Sequence, residues 1–334
     1  GGIGTNVPSV ASRRWGTVLP MTLPPRAAAP PAGAAPLALA AERSWLDPTL
    51  YPFAPKAFAT EDGVLSYIDE GDPGLSPVLF VHGTPSWSFE WRAVIAALSG
   101  ERRCIAPDHL GFGLSDKPEG AALAPEDHAR RLRAFVVALD LRDVTLVVHD
   151  FGGPIALPIA LDMPERIRRI VVLNSWLAPT ADDPAVVKLD RVIRSPIGRL
   201  LYFWLNVSPR FLLPAGFGDR RKLTKAVHRH YLMPFARRRH RAALYALARA
   251  LLGSSAFYAS QWARREALAS IPMTILWGDK DAALTERHLA RWRDAFPTAE
   301  VVRLPDTGHF VAEESPEALV RVLRGEVPRL AAAH

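Results

Sequence analysis

The chain has 334 residues, 49% of them hydrophobic and 22% charged, with a net charge of +7 at neutral pH. That composition excludes a disordered chain and supplies enough apolar residues for a sizeable core. A disulfide scaffold is excluded too, because the single Cys104 has no partner within the chain.

Residues 1–44 are rich in Ala, Pro and Gly and read as a disordered leader. Prolines interrupt APPAGAAPLALAA too often for the unbroken apolar stretch of a signal peptide. From Trp45 the texture changes. VLSYIDEG (64–71) alternates apolar and polar residues, as an edge hairpin strand does. Six short, mostly apolar runs follow: PVLFVHG, RCIAPD, VTLVVHD, RIVVLN, MTILWGD and EVVRLPD. Each is bounded by turn residues, which suits parallel strands buried on both faces. Helical patterns lie between them, so the expected fold is α/β, a doubly wound and mostly parallel sheet. The alternation lapses between Leu173 and Met273, where the pattern is helical and rich in Trp and Tyr. The expected organisation is a main domain of 45–175 and 270–334 with an inserted helical cap at 176–269.

The positive charge admits nucleic-acid binding. Most of it is arginine spread along the chain, however, and the densest cluster, FARRRHRA (235–242), has no interleaved stacking aromatics. A solvated basic surface is the expected reading, with no nucleic-acid partner. No apolar run reaches the roughly 18–20 residues that span a bilayer, so no membrane partner is expected. Cys104 reads as a core thiol. Nothing points to an oxidising compartment, and the expected location is cytoplasmic.

VVHDFGGP (147–154) carries the chemistry. Active sites of open α/β sheets lie at the carboxyl ends of strands, and Asp150 ends one. Gly152 and Gly153 let a helix start close by, and Pro154 suits its first turn. An aspartate there faces free backbone N–H groups and the positive end of the helix dipole. Taken alone, Asp150 reads equally well as a nucleophile on a G-x-S-x-G-type elbow, with Val148 at the first glycine, or as a helix cap. Two further stretches decide for the nucleophile. WGDKDAAL places Asp279 and Asp281 just past one strand, and LPDTGHF places His309 just past the last. Asp150, Asp281 and His309 follow the nucleophile–acid–base order of α/β hydrolases.

On these pieces, from about Tyr51 to Val327, the chain resembles the α/β-hydrolase superfamily, and within it the haloalkane dehalogenases and their relatives. VHGTPSWSFEWR (81–92), CIAPDHLGFGLSDKP (104–118), HYLMPFARRRHRAAL (230–244), WGDKDAAL (277–284) and DTGHF (306–310) carry the likeness beside the aspartate elbow. The resemblance implies that Asp281 is the triad acid, since Asn174 stands where some relatives place a glutamate. It implies that Asp108 belongs to a structural loop. It also implies an oxyanion hole from the backbone N–H groups of Thr84 and Phe151.

An aspartate nucleophile attacking saturated carbon leaves an alkyl ester, which water can cleave, whereas serine would leave an ether. With this chemistry, the resemblance implies cleavage of a carbon–halogen bond in a small apolar organic substrate by water. The resemblance calls for no cofactor and no metal. Phe151 departs from the tryptophan that usually follows the nucleophile, and its ring has no N–H for a halide. Trp87, Trp176 and Trp204 are candidate substitutes. Epoxide hydrolysis is the alternative and needs cap tyrosines, for which Tyr202 and Tyr258 are candidates beside Tyr231 and Tyr245. Cleavage of a β-lactone or ester is a further alternative, and non-catalytic ligand binding the reading from another class. Neither substrate nor oligomeric state is set by the sequence.

Overall fold

The structure, a computed structural model, describes residues 44–326. All but the last residue of the stretch read as a leader lies outside the described residues. Eight strands form one sheet: β1 (Lys56–Thr60), β2 (Gly63–Glu70), β3 (Pro77–Val81), β4 (Arg103–Pro107), β5 (Val144–Asp150), β6 (Ile167–Ser175), β7 (Met273–Gly278) and β8 (Glu300–Leu304). Their order is β1-β2-β4-β3-β5-β6-β7-β8. β2 pairs antiparallel with β1 and β4, and every other pairing is parallel.

All seven strand segments expected from the sequence are present. One placement is corrected: the edge is not β2 but β1. Its sequence KAFAT has five residues, none of them buried, and so shows neither an apolar run nor a clear alternation.

Side chains of a strand point alternately to opposite faces. On β3, Val78 and Phe80 therefore enter one core, and Leu79 and Val81 the other. Helices α1 (Arg92–Leu98), α2 (Pro125–Ala138), α3 (Gly152–Asp162), α9 (Glu286–Ala295) and α10 (Pro316–Arg324) cover the two faces. α3 is buried from Gly152 to Leu161, which is why GGPIALPIAL carries no charge. Cys104 is fully buried, and desolvation pushes its thiol up to about 12. It is inert as a nucleophile.

Between β6 and β7 the described residues form no strand. They contain α4 (Pro184–Arg194), α5 (Pro196–Phe203), α6 (Lys225–Leu232), α7 (Ala242–Gly253) and α8 (Ser255–Ala263), joined by one-turn segments. No helix among the described residues is long and apolar enough to cross a membrane.

Three buried histidines lie under the loops after β3 and β4. His82 Nε2 accepts the His109 N–H at 3.0 Å, so its proton is on Nδ1, which donates to Gly83 O at 2.7 Å. The ring centroid of His109 is 4.2 Å from that of His82 and 5.1 Å from that of His128. Neither nitrogen of His128 has a hydrogen-bond partner among the described residues. Burial holds His82 and His128 well below the usual histidine range and His109 at about 4. The unfolded chain thus binds protons that the folded chain refuses between about pH 6.5 and pH 4. Asp108, raised to about 6 by burial, works in the opposite sense with a single proton. Stability should fall by more than about 1 kcal/mol as pH drops from about 7 to about 5. Urea midpoints at the two pH values test this, and equal midpoints would count against it. His128→Leu, which removes two unpaired buried nitrogens, should flatten the dependence without destabilising the protein at neutral pH.

Candidate active site

Asp150 ends β5 with φ of +51°. A non-glycine residue held in the left-handed region costs about 1–3 kcal/mol and persists only where its surroundings fix it. Here they do. Ser175 Oγ donates to the Asp150 carbonyl at 2.6 Å, and the Thr84 N–H donates to Asp150 Oδ1 at 2.9 Å. The neighbouring glycines are required by contact. A Cβ on Gly83 would lie 2.2 Å from Asp150 Oδ1, one on Gly152 2.1 Å from the Val81 carbonyl, and one on Gly153 2.0 Å from Ser175 Oγ. The two glycines after Phe151 thus let α3 start directly against β3 and β6, and the turn projects the carboxylate beyond the sheet.

His309 follows β8. Its Nδ1 lies 2.6 Å from Asp281 Oδ2, and its Nε2 lies 3.4 Å from Asp150 Oδ2. Its backbone is pinned at both ends. The N–H donates to Gly216 O at 2.7 Å, and the carbonyl accepts from His149 Nε2 at 2.8 Å. Asp281 follows β7, and its carboxylate is saturated. Oδ1 accepts the Ala283 and Leu284 N–H groups at 2.8 and 3.0 Å, and Oδ2 also accepts the Asn174 amide at 2.9 Å. Burial pushes Asp281 upward, but His309, Leu284 and Asn174 outweigh it and hold the carboxylate well below its usual range. Burial pushes His309 downward, but Asp281 and Asp150 outweigh it and hold the imidazole protonated well above its usual range. His309 thus stands between the side chains of Asp281 and Asp150, and both favour its cation.

The other acidic candidates lie elsewhere. Asp279 pairs with Arg303. Asp108 is buried and accepts the Ser88 and Leu114 N–H groups at 2.7 and 2.8 Å, which makes it a staple of its loop. Of the aromatic candidates, Trp176 meets Phe151 and Tyr258 packs on Trp176. Trp176 stands one residue past Ser175, the register partner of Asp150. Its ring meets Phe151 edge to face with centroids 4.7 Å apart. Its buried indole nitrogen has no partner among the described residues, and neither has the buried Thr84 hydroxyl. Tyr258 packs on Trp176 but donates its hydroxyl to Ala250 O at 2.9 Å.

Three other pocket candidates have neighbours of their own. Trp87 is buried among Trp45, Tyr51 and Phe89 and donates its indole N–H to His230 O at 3.0 Å. Trp204 is 64% exposed, with the Arg238 guanidinium over its ring. Tyr202 packs on Tyr245, whose hydroxyl donates to Ile193 O. Each has found a different neighbour, which aromatic composition alone does not reveal.

Sequence reasoning also passed over a buried polar chain behind the histidine. His149 Nδ1 lies 2.6 Å from Glu90 Oε1, both residues are buried, and Ser86 donates to the other Glu90 oxygen. The signal was a charged residue inside the aromatic run SWSFEW. Asn174 was noted only as the absence of a glutamate, and its amide proves to hold both Asp281 and the Gly278 backbone.

Comparison with known proteins places the chain in a family. Residues 76–316 match the α/β hydrolase fold family. The chain is 34% identical over 285 residues to haloalkane dehalogenase 2 of Mycobacterium bovis, covering 83% of this chain and 96% of that one. It is 32% identical over 297 residues to a cis-3-alkyl-4-alkyloxetan-2-one decarboxylase of Xanthomonas campestris, covering 84% and 97%. Among solved structures, the haloalkane dehalogenase DbeA of Bradyrhizobium elkani aligns with a TM-score of 0.74 at 26% identity, covering 82% of this chain and 97% of that one. The chain belongs to the α/β-hydrolase superfamily, in its haloalkane dehalogenase-like branch.

Proposed function

We propose that this protein hydrolyses a carbon–halogen bond through a covalent ester on Asp150. The observation that carries the reading is the placement of one carboxylate, held by a strained turn, between a backbone N–H on Oδ1 and the His309 imidazole near Oδ2. In the first step Oδ2 bonds to the substrate carbon, and the carbon–halogen electron pair leaves with the halide. The unpaired Thr84 hydroxyl and Trp176 indole N–H would receive that charge. Alkylation makes Asp150 neutral and removes one of the two charges that hold His309 protonated. Once it has released its proton to solvent, where it leaves with the halide, His309 Nε2 accepts a proton from water as the water oxygen bonds to the Asp150 carboxyl carbon. The electron pair moves onto Oδ1, where the Thr84 and Phe151 N–H groups would hold it. Losing one such donor typically costs about 2.7–4 kcal/mol. Collapse expels the alcohol, which takes its proton from His309. Asp281 orients the ring and stabilises its cation.

In the same reading the helical insert 176–269 acts as a cap over the carboxyl ends of the strands. Support comes from Gly216, which binds the His309 N–H, and from Trp176 against Phe151. Epoxide hydrolysis has less support, because three of the four tyrosine hydroxyls of the insert are turned elsewhere: Tyr258 to Ala250, Tyr245 to Ile193 and Tyr231 to Glu313. Opening of a four-membered lactone is the second reading. Phe151, which offers no ring N–H, and the oxetan-2-one decarboxylase relative favour it.

His309→Ala should form the ester and fail to hydrolyse it. Intact-protein and peptide mass spectrometry after exposure to a short bromoalkane should show one alkyl group on Asp150. An adduct on any other residue would refute the assignment. Bromide release and alkene formation from a dialkyl oxetan-2-one, measured side by side on the wild type, separate the two substrate readings. Trp176→Phe should slow bromide release about tenfold or more, the worth of one hydrogen bond to an anion. An unchanged rate would remove Trp176 from the leaving-group site.

A further inference from the structure

The basic charge is not spread evenly. Residues 191–265 contain sixteen Lys and Arg and one acidic residue, Asp219, while the rest of the chain has 25 basic and 33 acidic residues. This part of the helical insert is thus strongly cationic on a protein whose remainder is anionic, and the tally along the whole chain hides this.

The same stretch carries the largest exposed apolar side chains of the described residues. Ile197 is 63% exposed, Leu200 50%, Trp204 64%, Phe211 55% and Leu212 53%, with Leu189, Val192 and Leu205 beside them in sequence. Ile197, Leu200 and Trp204 are spaced three and four apart along α5 and its cap, so they form one stripe. Arg199 and Arg238 share a surface groove with Leu200 and Trp204. Arg238 lies 4.4 Å over the Trp204 ring, and Arg210 flanks Phe211. Asp190, on the preceding helix, is taken up by Arg194. A monomer rarely exposes so many large apolar side chains together. An apolar stripe with Trp and Phe, edged by arginine and free of acids, is the composition of a face that lies in a bilayer interface. A nucleic acid would answer the arginines but not the aliphatic stripe.

We infer that this face of the helical insert docks on an anionic lipid surface, with Ile197, Leu200, Trp204, Phe211 and Leu212 entering the headgroup layer and Arg199, Arg210 and Arg238 meeting lipid phosphates. It is a peripheral contact, compatible with the lack of a membrane-crossing helix among the described residues. The inference does not rest on the catalytic reading. It changes what that reading demands, because an apolar substrate partitions into the layer the face would touch.

The test is co-sedimentation of the full chain with vesicles of phosphatidylcholine alone or mixed with phosphatidylglycerol, at low and high salt. The expected result is binding to the mixed vesicles only, weakened by salt. Two sets of substitutions, Leu200→Ser with Trp204→Ser, and Arg199→Glu with Arg210→Glu and Arg238→Glu, should each weaken binding at least tenfold. Both should leave turnover of a water-soluble bromoalkane, or failing turnover the far-ultraviolet circular dichroism, unchanged. Three outcomes would overturn the inference. The first is a folded wild type that pellets with neither vesicle. The second is undiminished binding by both variants, which would place the contact elsewhere, the segment 1–43 included. The third is a dimer abolished by Trp204→Ser in a protein that ignores vesicles, which would make the stripe a self-association surface.

Discussion

The site depends on one close approach. α3 begins where β5 ends, with no linking residues except Phe151, and its first turn touches the backbone of β3 and the side chain of Ser175. Only residues without a Cβ fit at 152 and 153. This packing drives Asp150 into the left-handed region and aims its carboxylate outward, away from the sheet. The strain is held by the buried core around α3, so the geometry of Asp150 is set by the most apolar helix of the fold. A flexible loop would avoid the strain and lose the aim.

The charges follow from that geometry. Asp281 and Asp150 both favour the cation of His309. In the proposed mechanism an ester on Asp150 would remove one of those charges. The product of the first step would then favour the base that the second step needs. Asn174, Ala283 and Leu284 saturate Asp281 with hydrogen bonds, which favour its ionised form. His149 and Gly216 fix the backbone of His309, so its ring has little freedom to swing away.

Much of this was legible in the sequence where one local rule decides the outcome. Parallel strands buried on both faces read as short apolar runs, and a strand-to-helix turn without room for a Cβ reads as paired glycines. Asp281 and His309 follow β7 and β8, which lie on one side of β5, beyond β6. What was not legible depends on long-range partners. Trp87, Trp176 and Trp204 are alike in the sequence, yet one hydrogen-bonds to His230, one faces Phe151 and one lies on the surface under Arg238. β1 is too short and too exposed to show a period. Glu90 looks like a surface residue until the fold puts His149 against it. The clustering of basic charge in the insert is visible by counting, but its meaning needs the exposure of the apolar side chains beside it.

The central claim is that oxygen from water reaches the product by way of Asp150. The most direct measurement is repeated turnover in water labelled with heavy oxygen, followed by mass spectrometry of the peptide that contains residue 150. If water attacks the carboxyl carbon of an ester, the label enters the Asp150 side chain and appears in the alcohol only after an unlabelled first turnover. A labelled alcohol from the first turnover, with an unlabelled Asp150 peptide throughout, would mean that water attacks the substrate directly and would contradict the covalent mechanism.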